Sequence, residues 1–315
     1  MTEKKALATR EAFGKSLASL SQEFDNIIVL DADLSKSTKS GDFAAVCPER
    51  FFNVGIAEQN MAGIAAGLST CGKIPFFSGF AVFVAGRAFE QIRNSIAYPN
   101  LNVKIVGSHG GITVGEDGGT HQPIEDIALM RVLPNMTVIV PADEVSAKWA
   151  VRAAAEYYGP VYLRMSRLAS TPVYDENQEF HWGQGQLLRP GSDIAIFGCG
   201  YMLSECLEAA SLLANEGIKA AVADIHTIKP LDKELVISLS ERCGAAISVE
   251  EHSIIGGLGA AVAETLMENG TFIPFSRVGM EDSFGQSGSP AALLRHYKLD
   301  AESIANRAKA TLAKK

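Results

Sequence analysis

A chain of 315 residues exceeds one typical domain and points to two, each with room for its own core. An apolar fraction of 47% with 20% charged residues is that of a soluble globular protein, and no apolar run approaches the roughly 18 residues needed to cross a bilayer, so a membrane role is not expected. A net charge of -8 argues against nucleic acid as the main partner while leaving room for local basic pockets that take sugar phosphates. The opening Met1-Thr2-Glu3-Lys4-Lys5-Ala6-Leu7 has neither a signal-peptide hydrophobic stretch nor a small-residue cleavage site, and the expected location is cytoplasmic. Cys47, Cys71, Cys199, Cys206 and Cys243 are widely spaced and form no C-x-x-C pair, so they read as mostly buried thiols in a reducing compartment, not as a zinc site or disulfide framework.

In chain order, residues 4–24 carry Ala6, Leu7, Phe13, Leu17 and Leu20 at roughly helical spacing. A short buried strand over 26–30 follows and ends at Asp31-Ala32-Asp33, polar residues placed where sheets of alternating strands and helices bind ligands. The run Phe52-Asn53-Val54-Gly55-Ile56-Ala57-Glu58-Gln59-Asn60-Met61 leads into Ala62-Gly63-Ile64-Ala65-Ala66-Gly67-Leu68, where Ala57, Met61, Ile64, Ala65 and Leu68 predict a helix starting near Gly55. Alanine and glycine make that helix thin, so another backbone can approach closely. Glu58 in its first turn either complements the helix dipole or serves a site at that close contact.

Further strands are expected over 73–77, 103–107, 137–140 and 161–164, with helices over 83–97 and 144–157 and a long glycine-rich loop over 108–123. Periodicity lapses where Pro172, Glu176, Asn177, Gln178 and Gly183 cluster, which marks a linker over 171–189 between a domain of 1–170 and one of 190–315. In the second, strands over 193–197, 219–224 and 245–250 alternate with helices over 201–215, 232–240 and 257–267. The fold class is therefore α/β, with mainly parallel sheets and helices on both faces.

Four motifs stand in order: the Glu58 run, Phe76-Phe77-Ser78-Gly79-Phe80-Ala81-Val82-Phe83, Gly107-Ser108-His109-Gly110-Gly111, and Gly115-Glu116-Asp117-Gly118-Gly119-Thr120-His121-Gln122-Pro123. In order and spacing they resemble the pyrimidine-binding half of transketolases, which use thiamine diphosphate, and the resemblance covers nearly the whole chain. The resemblance implies a pyrimidine-binding domain followed by a smaller transketolase C-terminal domain. That cofactor supplies its own electron sink, so the protein's task is to bind, orient and manage its protons. Glu58 matches the glutamate that bonds the pyrimidine ring nitrogen and so assists proton removal from the thiazolium carbon. Phe80 and Phe83 match the aromatic residues set against the pyrimidine, although as phenylalanines they equally suit plain core packing.

The same resemblance gives His109 to a substrate phosphate, Asp117 to a substrate hydroxyl, and His121 to the reacting carbonyl and hydroxyl groups. Arg10, Ser37 and Arg167 match the remaining phosphate-binding positions, where an arginine fork suits a phosphate. Taken without the resemblance, these arginines read as solvated charges and these histidines as structural residues. Asp33 either approaches the thiazolium ring or caps the next segment. Two positions depart from the pattern: Gly86 replaces a tyrosine common in full-length transketolases, and Gly110-Gly111 replaces a polar pair, which implies a wider pocket. Glu250-Glu251-His252-Ser253-Ile254-Ile255-Gly256-Gly257-Leu258-Gly259 lacks full G-x-G-x-x-G spacing and reads as a tight strand-to-helix turn.

The family holds the diphosphate through a metal bound at a Gly-Asp-Gly motif, and this sequence has no Gly-Asp-Gly. The resemblance is thus to the C-terminal subunit of a split transketolase, inactive alone, with Mg2+ held by an N-terminal partner. The implied activity is transfer of a two-carbon ketol unit from a ketose phosphate to an aldose, in sugar metabolism of the pentose phosphate kind. The alternatives are the β subunit of a 2-oxoacid dehydrogenase and a non-catalytic assembly partner. The thin helix of Ala62, Gly63, Ala65, Ala66 and Gly67 predicts pairing of two copies about a twofold axis, giving a homodimer alone and an α2β2 particle with the partner.

Overall fold

Strands whose side chains are buried on both faces belong in the middle of a parallel sheet, because helices must cover each side. In the computed structural model, which describes residues 6–315, Ile27–Asp31 (β1), Ile74–Phe80 (β3), Lys104–Ser108 (β4), Thr137–Ile139 (β5) and Val161–Arg164 (β6) are all of this kind. The partly exposed Phe51–Asn53 (β2) is the edge strand, and the order is β5-β6-β4-β3-β1-β2 with every pair parallel. Val29, Phe76, Lys104 and Val161 fall in one row. This register brings Asp31, Phe80 and Ser108 to the carboxyl ends of three adjacent strands, the edge at which such sheets bind ligands.

These strands belong to a unit made of the chain up to Gly110 together with Leu129–Gln178. Its first helix, Thr9–Leu20 (α1), is shorter than the expected 4–24, of which positions 4 and 5 lie outside the described residues. Leu7 pairs antiparallel with Ser170 and Ala8 with Ala169, so the chain enters α1 fastened beside the end of the unit. The thin helix, Glu58–Thr70 (α2), begins three residues after Gly55 because Gly55 sits at φ +75 and Ala57 is still non-helical at φ -148, ψ 63. Of its small residues, Ala62, Ala65 and Ala66 are buried within the unit, whereas Gly63 and Gly67 are exposed. The helix expected over 83–97 is broken into wide π-helical turns over Val82–Arg87 and Ile92–Ala97 with Phe89–Gln91 between them. Glu144–Glu156 (α3) starts at an Asp143 cap, whose carboxylate accepts from Ser146 N at 3.0 Å.

The second unit comprises Gly111–Ala128 and Glu179–Lys315, so the glycine-rich segment packs with the later part of the chain. The strands of its five-stranded sheet are Gln186–Arg189 (β7), Ile194–Gly198 (β8), Ala220–Asp224 (β9), Ala246–Ser253 (β10) and Phe275–Met280 (β11). They run β11-β10-β8-β9-β7, parallel except for the antiparallel edge strand β7. The helices are Met202–Asn215 (α4), Lys233–Cys243 (α5), Leu258–Asn269 (α6), Pro290–His296 (α7) and Ala301–Leu312 (α8). The last strand and last two helices lie beyond the elements expected from the sequence. The strand is half exposed along its first three residues, and α8 presents a stripe dominated by alanine, both weak signals of periodicity. Ile112 and Ile124 of the glycine-rich segment enter this unit's core beside Val249, Met280 and Leu293. Among the described residues no helix is long and apolar enough to cross a membrane.

Candidate functional site

Glu58 is only 1% exposed, although it stands in the first turn of a helix where a carboxylate ordinarily faces water. A buried charge needs a partner. Arg87 supplies it, with Nη1 donating to Glu58 Oε2 at 2.8 Å. The π-helical turn of Val82–Arg87 also sets the Arg87 guanidinium over the Phe83 ring, 4.7 Å from its centroid. Phe83 is stacked with Phe80 at 6.0 Å and 13°, and Phe80 with His109 at 3.9 Å and 30°. One continuous train therefore runs from the Glu58 carboxyl through Arg87, Phe83 and Phe80 to the His109 ring. His109 holds a left-handed backbone, φ 59, which for a non-glycine costs on the order of 1–3 kcal/mol and turns its ring onto Phe80. Its Nδ1 is 2.8 Å from Ser108 Oγ, and Gly110 N donates to Met165 O at 3.0 Å, fixing the turn from the other side. Gly110 is required here, since a Cβ would run against the Arg164 side chain.

A second group in the same unit is basic. The pairing of Leu7–Ala8 with Ala169–Ser170 is reinforced by Ser166 N donating to Thr9 Oγ1 at 2.7 Å, which brings Arg10 and Arg167 near one another. Arg10 Nη1 donates to Ser37 O at 2.7 Å, while Arg10 Nε is buried with no hydrogen-bond partner. Burial holds Arg10 below the ordinary guanidinium value; Glu11 opposes that drop and the like charge of Arg167 adds to it. Two cations kept together beside an unfilled buried donor leave hydrogen-bonding capacity of the kind an anion can satisfy. Ser37 is placed by Asp31, whose buried carboxylate accepts from Leu34 N at 2.5 Å, Ser40 Oγ at 2.8 Å, Thr38 Oγ1 at 3.0 Å and Ser78 Oγ at 3.1 Å. Burial raises Asp31 above the usual carboxylate value, against the pull of those four bonds. Asp33, left-handed at φ 64, is exposed and exchanges bonds with Asn53, each 3.2 Å long.

The remaining two sequence-predicted residues lie in the second unit. Asp117 ends the turn Ile112–Asp117 and is exposed; His121 follows, its N donating to Gly118 O at 2.9 Å and its Nδ1 3.0 Å from Thr120 Oγ1. Arg87 is the residue that sequence reasoning missed, while Asp31, placed by the sequence at the ligand-binding edge of its strand, proves to be a buried acceptor. Arg87 lies one helical turn after Phe83, a spacing that marks a shared face. Asp31 closes a buried strand and precedes Ser35, Ser37, Thr38 and Ser40, a cluster of hydroxyls suited to a buried carboxylate. The five cysteines are free thiols, with Cys71 alone exposed.

Residues 5–172 match the transketolase pyrimidine binding domain and residues 183–304 the transketolase C-terminal domain. The chain therefore belongs to the transketolase family, whose members depend on thiamine diphosphate, and it comprises the pyrimidine-binding and C-terminal domains. It is 50% identical over 300 residues to a Methanocaldococcus jannaschii chain provisionally described as a transketolase C-terminal section, covering 95% of this chain and 94% of that one. It is 42% identical to the 6-deoxy-6-sulfo-D-fructose transketolase subunit SqwH of Clostridium sp., over 95% of this chain and 92% of that protein. Among solved structures it resembles a split-gene transketolase in an inactive β4 tetramer, with a TM-score of 0.90, 52% identity, and coverage of 98% of this chain and 99% of that one.

Proposed function

We propose that this chain is the C-terminal subunit of a two-subunit transketolase, moving a two-carbon ketol unit from a ketose phosphate to an aldose. The observation that carries the reading is the buried Glu58 carboxyl held by Arg87 against the stacked rings of Phe83 and Phe80. These residues fit the pyrimidine end of thiamine diphosphate, which needs a flat slot and a buried carboxyl; the empty bonding capacity of Arg10 Nε fits a substrate phosphate. When bound, the cofactor supplies a nucleophilic carbon and an electron sink. Glu58 would hold a proton at the pyrimidine ring nitrogen, Phe80 and Phe83 would orient the ring and exclude water from it, and Asp33 would approach the thiazolium ring. His109, Arg10, Ser37 and Arg167 bind the substrate phosphate, Asp117 binds a hydroxyl, and His121 binds and exchanges protons with the reacting oxygen.

The sequence carries no Gly-Asp-Gly, so the diphosphate and its Mg2+ are assigned to an N-terminal partner subunit. Without that partner the chain self-associates through twofold pairing and is inactive; with it, the particle is α2β2. A related β chain alone is an inactive β4 tetramer, a larger assembly than the homodimer expected from the sequence; it supports self-association and dependence on the partner. Transketolase descriptions on the relatives favour ketol transfer over 2-oxoacid decarboxylation. One relative handles a sulfonated fructose, so the anion on the donor sugar is itself a variable, and both phosphate and sulfonate ketoses belong in the assay. Setting and compartment are those of cytoplasmic sugar metabolism. The test is reconstitution with the N-terminal subunit, thiamine diphosphate and Mg2+, followed by an assay for ketol transfer. Glu58→Gln in that complex lowers turnover by about 100-fold to 10,000-fold, the loss typical of a missing general acid or base. Turnover within a few-fold of wild type in this variant refutes the assignment.

A further inference from the structure

The glycine-rich segment that carries Asp117 and His121 is fixed by side chains of its own unit, and one of them is a buried acid with no part in the chemistry above. Glu251, at 4% exposure in β10, accepts from Thr113 N at 3.2 Å and from Thr113 Oγ1 at 2.7 Å. Gly111, at φ +77, is the one residue type that passes this point, because a Cβ there would run into the Glu251 carboxyl. Further along, buried Gln122 uses Nε2 to bridge Gly115 O at 3.1 Å and Gln286 O at 3.0 Å. Ser287 Oγ donates to Glu116 O at 2.6 Å, and a Cβ on Gly119 would meet Gly285 O. The base of the loop is thus anchored by a carboxylate, and its middle lies against the 285–287 turn with no space to spare. Thr113 is fully buried, and loss of the Glu251 carboxylate leaves a buried N–H and a buried hydroxyl without their acceptor.

We infer that Glu251 is a positioning residue for the transferase: through Thr113 the C-terminal domain sets the loop that presents Asp117 and His121 to substrate. This rests on the proposed substrate roles of those two residues. The acid does not touch substrate; it fixes the anchor point four residues before Asp117 and eight before His121. A loop released at that point samples many conformations, so substrate binds to the fraction correctly formed and its apparent affinity falls by that fraction.

The experiment uses the full chain with its N-terminal partner and compares Glu251→Ala, Glu251→Gln and Thr113→Val with wild type. Glutamine keeps an acceptor oxygen of the same reach, and valine keeps the shape of threonine while removing the hydroxyl, so these two variants retain the fold even if alanine does not. Hydrogen exchange is read on peptides from 111–121, with β8 peptides as the internal reference, and ketol-transfer kinetics are read in parallel. Glu251→Ala and Thr113→Val are expected to speed exchange in the loop about ten-fold or more without changing β8, and to raise KM for the ketose by a similar factor. Affinity for thiamine diphosphate stays unchanged, and Glu251→Gln lies close to wild type in both readouts. Unchanged loop exchange in both disruptive variants overturns the inference, as does faster exchange with wild-type KM. Absence of ketol transfer in wild type counts against the transketolase reading alone, since loop exchange reports on the Glu251 anchor without any substrate.

Discussion

Arg10 and Arg167 illustrate how much a single side chain's surroundings decide. On a solvated helix either would be an ordinary surface charge, but here Arg10 has a buried Nε with no partner and a like charge beside it. On the proposed anion-binding role, replacing either by alanine would remove a charge-assisted contact worth about 1.5–3 kcal/mol, and is expected to raise KM for phosphorylated ketoses about 10-fold to 100-fold with little change in kcat. Kinetics with an unphosphorylated ketose provide the control; equal losses on both substrates would remove the anion role. Glu58, Phe80, Phe83 and His109 were legible in the sequence because each sits in a motif whose order carries information. Arg87 was not, because its bond to Glu58 joins residues 29 apart and its spacing from Phe83 marks a shared face without naming a partner. Asp31 reads in the sequence as a polar residue at the ligand-binding edge of its strand, and its role as the acceptor for three hydroxyls and a backbone N–H emerges only when Ser78 of a neighbouring strand is brought alongside.

Among the elements, the central strands were legible because continuous apolar runs between turns have few other readings, while the π-helical turns around Phe83 were not, since apolar spacing does not separate a wide turn from an ordinary one. β4 contains a residue that its pattern as a buried strand does not explain. Lys104 is fully buried, with Nζ donating to Asn102 Oδ1 at 2.6 Å, Tyr157 O at 2.7 Å and Gly159 O at 2.8 Å, and it closes the chain between α3 and β6 onto the start of β4. Burial lowers its pKa from 10.5 to about 7. Between those values the folded chain holds less of this proton than the unfolded chain, so this site's contribution to stability rises with pH across the window and is flat below it. From pH 7 to pH 9 wild type should gain roughly 2 kcal/mol relative to Lys104→Met, in which the titrating group is gone. Urea midpoints of the two proteins at both pH values measure this, and a difference independent of pH would mean that Lys104 keeps its charge throughout.

For the whole molecule, the helix that carries Glu58 has two sides of opposite character. Its inner side buries Met61, Ala62, Ala65 and Ala66, while its outer side leaves Gly63 and Gly67 open: among the described residues, nothing beyond the neighbouring helix backbone lies within 4 Å of a Cβ built at either. Glycine in the middle of a helix costs about 0.8–1.0 kcal/mol relative to alanine, and nothing within the unit explains keeping two of them. Exposed Phe52 and Ile56, at 49% and 75%, lie just ahead of the same helix, adding apolar surface that a second copy would cover. These features make Gly63→Leu a test in which stability and assembly move in opposite directions. The substitution meets no atom inside the unit and improves helix propensity, so thermal stability of the separated chain should hold or rise by the equivalent of about 0.5–1 kcal/mol. The added side chain keeps another backbone away from the helix, so light scattering should show a smaller particle than wild type, and addition of the N-terminal subunit should not restore ketol transfer. A Gly63→Leu chain that keeps the wild-type particle size would place self-association on another surface and leave the two glycines without an explanation.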